Sequence, residues 1–143
     1  MNYFFAIFLI IFAFAVFSVE DKSELSSRHN FTHPSAIQFI QVRSDIINYL
    51  KDKNNHRDGI INYNSIYPDS FFTNDTWNIR IESKTCYIWG ESNNKVYTNI
   101  FDLTSHSISI GISHNGIIKL GDVNLPSPAF IPNGSIVSVI DLS

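Results

Sequence analysis

Hydrophobic positions change period from one segment of this chain to the next, and each period predicts an element. Residues 3–19 (YFFAIFLIIFAFAVFSV) are uncharged, and Glu20, Asp21 and Lys22 follow at once. As a helix this run is roughly 25 Å long against a hydrocarbon core of about 30 Å, near the short limit for a span. It reads as a membrane anchor. The competing reading is a cleaved signal peptide, since Ala13-Phe14-Ala15 and Val16-Phe17-Ser18 place small residues at cleavage spacing. No Lys or Arg precedes Lys22, so the basic start of a secretory signal is missing. A prepilin leader needs a Gly ahead of the apolar run, and the first here is Gly59. Residues 20–33 are polar and read as a tether.

From Ala36 the apolar positions Ala36, Phe39, Ile40, Ile46, Ile47 and Leu50 recur at helical spacing, with Arg43 inside the stripe. Together with the entry signal His33-Pro34-Ser35 they predict a long helix from Pro34 to Asp52. Residues 54–75 read as a loop turned at Asp58-Gly59, with a short strand between Gly59 and Tyr63 as one option. Tyr63, Ile66, Tyr67, Phe71 and Phe72 would pin that loop to the core.

Apolar and polar residues alternate from Trp77 through Ile79 and Ile81 to Glu82, and Thr85 to Gly90 continues in β-favouring residues, with Ser83-Lys84 as the hairpin turn. Val96, Ile100 and Leu103 predict a shorter helix over 93–105. Ile108, Ile110 and Ile112 then alternate with serines, and Asn115-Gly116 predicts a type I′ turn before Ile117, Ile118 and Leu120 return. Pro126, Pro128 and Pro132 exclude regular central pairing through 125–132, and a last strand is expected over Ser135 to Leu142. The expected organisation is a hydrophobic membrane helix (1–19), a tether (20–33) and one small α+β domain (34–143), in which a long helix packs on an antiparallel sheet.

Composition narrows the function classes. Ten basic and thirteen acidic residues are scattered without a run, so the electrostatic footprint of a nucleic-acid binder is absent. Cys86 is the single cysteine, which excludes an intramolecular disulfide and points to a buried, inert thiol. His29 and His33 stand four apart, but Pro34 disfavours helix there, and neither a metal nor another cofactor is expected. His106 or His114, with Asp102 or Asp122 to orient it and nearby serines, is the material of a hydrolytic triad. No nucleophile elbow, P-loop or dinucleotide loop accompanies it, and the chain is read as not an enzyme. The sequons at Asn30, Asn74 and Asn133 matter only in a eukaryotic secretory pathway.

Tyr87 and Trp89 are the candidate protein-interaction residues. They point to one face of their strand while Cys86 and Ile88 point to the other. On one reading they fill the core; on the other, if the helix does not cover their face, they make a protein-binding patch.

The second half resembles a known family. The aromatic strand Tyr87-Ile88-Trp89-Gly90 is followed by a helix, by Ser105-His106-Ser107-Ile108-Ser109-Ile110-Gly111, and by His114-Asn115-Gly116-Ile117-Ile118-Lys119-Leu120. It closes on Ile131-Pro132-Asn133-Gly134-Ser135-Ile136-Val137. This order, behind an apolar N-terminal segment, resembles the PilM family of type IVB pilus proteins. The resemblance implies a non-enzymatic accessory of thin-pilus assembly, working through contacts with other pilus proteins, with its domain in the periplasm of a Gram-negative cell and a place in conjugation. Lys22 and Arg28, by the positive-inside count, would instead keep the domain cytoplasmic. A secreted or periplasmic binding module with a cleaved signal, unrelated to pili, is the alternative.

Overall fold

Residues 35–49 are helical and are the first helical segment, α1, among the described residues. The computed structural model describes residues 35–70, 73–91 and 93–143; the expected anchor and tether, Pro34 with His29 and His33, and the plugs Phe71 and Phe72 lie outside the described residues. Ala36, Phe39, Val42 and Ile46 are completely buried along one side of α1, at the spacing the stripe requires. Val42 belongs to that stripe, whereas Ile40 and Ile47 flank it half-buried. The helix stops short of the expected Asp52, because that side chain caps a 3-10 turn at Lys53–Asn55 by accepting from Asn54 N at 2.9 Å. Two carbonyls at the helix end find side chains: Asn55 Nδ2 donates to Tyr49 O at 2.7 Å and a His56 ring nitrogen lies 2.7 Å from Leu50 O.

Among the described residues seven strands follow, β1 (Gly59–Ile60), β2 (Asn78–Glu82), β3 (Thr85–Glu91), β4 (Ile110–His114), β5 (Ile117–Leu120), β6 (Val123–Pro126) and β7 (Ser135–Asp141), with helices α2 (Tyr63–Ile66) after β1 and α3 (Asn94–Leu103) after β3. They form one sheet in the order β1-β2-β3-β7-β4-β5-β6, every neighbouring pair antiparallel. The last strand enters between β3 and β4, so α3 crosses over a place that β7 later fills.

Turn chemistry fixes the hairpins. Asn115 and Gly116 both take positive φ, at 50° and 76°, as a type I′ turn demands. Ser83 and Lys84 do the same at 51° and 64° without a glycine. The strand expected from Ile108 begins only at Ile110; Ser107 to Ser109 form a turn instead, and Ile108 is 83 % exposed. In the proline-rich stretch, β6 pairs with β5 as an edge strand and ends on Pro126, a position open to a residue without an N–H. A side chain at Gly111 would meet the Lys119 carbonyl oxygen at 1.9 Å, so only glycine lets β4 and β5 approach this closely. The α2 helix replaces part of the expected loop, and its Tyr63 is buried as expected, with its hydroxyl donating to Asp45 at 2.7 Å.

One face of the sheet packs under α1 and α3, through Ile79, Ile81, Cys86, Ile88, Ile110 and Ile136. Phe39 and Trp77 meet edge to face at 4.7 Å in this layer. The α+β expectation, one long helix on an antiparallel sheet, therefore describes residues 35–143. No helix among the described residues is long and apolar enough to cross a membrane.

Candidate interaction face

The opposite face of the sheet is built by register. Ile60 pairs with Arg80, Arg80 with Tyr87, and Tyr87 with Val139, so these four side chains form one row across β1, β2, β3 and β7. The next row is Asn78, Trp89 and Val137. Alternation within β3 puts Tyr87 and Trp89 here and sends Cys86 and Ile88 to the helix side, where both are completely buried. The helix α1 packs on the other face and leaves Tyr87 and Trp89 uncovered.

Their cover comes from the proline-rich stretch. Phe130 lies 5.8 Å from Tyr87, edge to face at 77°, and 5.1 Å from Trp89 at 47°. The Arg80 guanidinium sits over the same ring at 4.5 Å from its centroid, and its Nη2 is 3.2 Å from Glu82 Oε1. Beneath and beside them Ile118, Leu120, Ile131 and Val137 form a second buried cluster, on which Tyr87, Trp89 and Phe130 pack half-buried. The two readings of Tyr87 and Trp89 thus meet in one arrangement: one side of each ring rests on a small core and the rest stays at the surface. At the end of the first row Ile60 is 80 % exposed, too open for a residue whose task is packing.

Carboxylates bound this aromatic area. Glu82, Thr85 and Asp141 share the row beyond Arg80 and Tyr87, and Glu91 pairs with Ser135 beyond Trp89. Ser143 N donates to Asp141 Oδ1 at 2.9 Å, which holds that carboxyl below the usual range.

The other candidates are arranged differently. Burial pushes the Cys86 thiol up to about 12, which leaves it protonated and unreactive at neutral pH. His106 is 3.6 Å from Asp102 and stacks on Phe101 at 4.4 Å, and no serine is among its described side-chain partners. His114 ends β4 exposed, and Asp122 stands in the β5–β6 turn away from both histidines' described contacts. Among the described residues no cluster of three or more His, Cys, Asp or Glu is placed to hold a metal ion. What this surface offers is contact area: rigid aromatic rings on a sheet, an exposed isoleucine and a polar rim.

Phe130, Arg80 and Ile60 belong to this face and are not legible as its members from local pattern, because cross-strand register and a returning loop bring them there. An aromatic residue between Pro128 and Pro132 was the one available signal: an apolar ring in a segment barred from central pairing has to fold back onto something.

The sequence model of the PilM family matches residues 6–139. The solved structure of the protein PilM from Escherichia coli B7A is similar to this chain, with a TM-score of 0.65 at 16 % identity over 79 % of this chain and 94 % of that one. At that identity the likeness speaks for the fold. No curated protein matches the sequence.

Proposed function

This chain belongs to the PilM family, and on that premise we propose that it is a non-enzymatic accessory component of type IVB (thin) pilus assembly that works by protein contacts. Membership gives it a pilus-related role; the match over residues 6–139 is the observation that carries the reading. Residues 3–19 anchor it in the inner membrane, and the domain from residue 34 stands in the periplasm, where other pilus assembly proteins meet the face around Tyr87 and Trp89. The apolar length of 3–19 supports the anchor. Half-buried aromatic rings beside an exposed Ile60 support the contact surface. Scattered charge, with no basic run, supports a protein partner over nucleic acid.

An in-frame deletion of the gene in its host tests this reading. The expected result is loss of assembled surface pili at an unchanged level of pilin, with recovery on complementation. Normal piliation in the deletion strain overturns it.

A further inference from the structure

We infer that the segment seated on this face belongs to a partner protein and carries Lys or Arg on both sides of a large apolar side chain. The inference rests on the reading of Tyr87 and Trp89 as a contact surface and adds the chemistry of what they contact.

Charge complementarity singles out the occupant. Side chains paired across β2, β3 and β7 put Glu82 and Asp141 at one end of the aromatic area and Glu91 at the other. Thr85 and Glu91 are six residues apart on one strand, so these two ends are separated by about 20 Å. Arg80 is the one cation among the strand positions of this face, and it is already engaged by Glu82 and the Phe130 ring. Asp141 and Glu91 have no basic neighbour in either ion pair of the described residues. Lys84, exposed in the β2–β3 turn, enters neither of those ion pairs, so a ligand that covers the rings meets at each end a carboxylate outside them, Asp141 at one and Glu91 at the other.

That requirement discriminates among occupants. A second copy of this chain docked by the same face across a two-fold axis would set carboxylates against carboxylates, a repulsive pairing. An anionic lipid surface meets the same repulsion. Addition of a strand at the sheet edge is disfavoured on both sides: β1 has two residues, and β6 ends on Pro126, which has no N–H to donate. A basic segment laid over the face, its apolar side chain against Tyr87, Trp89 and Ile60, satisfies both the rings and the rim.

The test uses the full chain in detergent micelles and an immobilised positional-scanning library of dodecapeptides as the probe. The expected result is selection of Lys or Arg at positions flanking a selected Leu, Phe or Met. Binding should fall at least tenfold in a Glu91→Gln/Asp141→Asn double variant, whose exposed side chains leave the melting temperature unchanged, and should not fall in Asp122→Lys, in the β5–β6 turn. It should also weaken severalfold between 50 and 300 mM salt, as screening requires. Absence of selection, selection of acidic residues, or basic selection that survives neutralisation of Glu91 and Asp141 overturns the inference. Basic selection in a chain whose deletion leaves pili intact would remove the assembly role and keep this one. Loss of pili without basic selection would do the reverse.

Discussion

Arg80 lies over the ring of Phe130, its guanidinium carbon 4.5 Å from the ring centroid, and this contact ties β2 to the proline-rich stretch that returns over the sheet. Phe130 also meets Tyr87 and Trp89, so one ring organises the whole face. Phe130→Leu keeps apolar cover and removes the cation–π and ring–ring contacts; it is expected to cost about 1–2 kcal/mol in urea unfolding. Phe130→Ala is expected to cost roughly 3 kcal/mol and to increase acrylamide quenching of tryptophan fluorescence as Trp89 opens to solvent.

A second long-range contact holds α1 to the sheet. Arg43 donates from Nε to Ser138 Oγ at 3.0 Å and from Nη2 to Ser109 Oγ at 2.8 Å, and burial pulls the guanidinium below its ordinary pKa. Both acceptors are neutral hydroxyls, so the guanidinium sits half-buried without a described carboxylate partner. Ser138→Ala strands the Nε donor and should destabilise by about 1–3 kcal/mol, whereas Arg43→Met removes donor and charge together and should cost less. Denaturant midpoints of the two single variants and the double variant check this, with the double expected well short of the sum.

Strain in the β2–β3 turn gives a prediction of opposite sign. Ser83 and Lys84 both sit in the left-handed region, at a cost of order 1 kcal/mol each. Ser83→Asn and Lys84→Gly suit the same type I′ geometry, and the pair is expected to raise stability by roughly 1 kcal/mol, read as an increased melting temperature.

The Cys86 thiol supplies a pH dependence. Its ordinary pKa is near 9 and burial raises it to about 12, so the unfolded chain loses this proton first. The contribution of Cys86 is fully present below pH 9 and is lost as pH rises toward 12. The Tyr63 and Tyr67 hydroxyls, raised mainly by burial, act in the same direction above their ordinary range. Chemical denaturation from pH 8 to 11 should show falling stability. At pH 8 an alkylating reagent should label Cys86 only after denaturant is added.

Much of this fold follows from local pattern. The alternation of Ile79 with Ile81 and of Cys86 with Ile88, the Asn115-Gly116 turn and the stripe around Phe39 and Ile46 each specify an element by period or backbone preference. The insertion of β7 between β3 and β4 follows from no local signal, since a seven-residue strand can pair wherever two open edges meet. The same reason hid half of the candidate face. Tyr87 and Trp89 are legible as strand neighbours, while Ile60 joins them only through the β1–β2 register and Phe130 only through the fold-back of a loop. Ile108 shows the converse: its period fits a strand, but the chain is still turning through Ser107 to Ser109 and leaves it exposed.

The proposed role in pilus assembly through contacts at the Tyr87–Trp89 face is checked by counting surface pili in strains carrying Ile60→Lys or Trp89→Ala at normal protein level. Ile60 is 80 % exposed, so its variant leaves the fold and its melting temperature intact. Both strains are expected to lose most of their pili while pilin and the variant proteins persist. Wild-type piliation in both strains would contradict it.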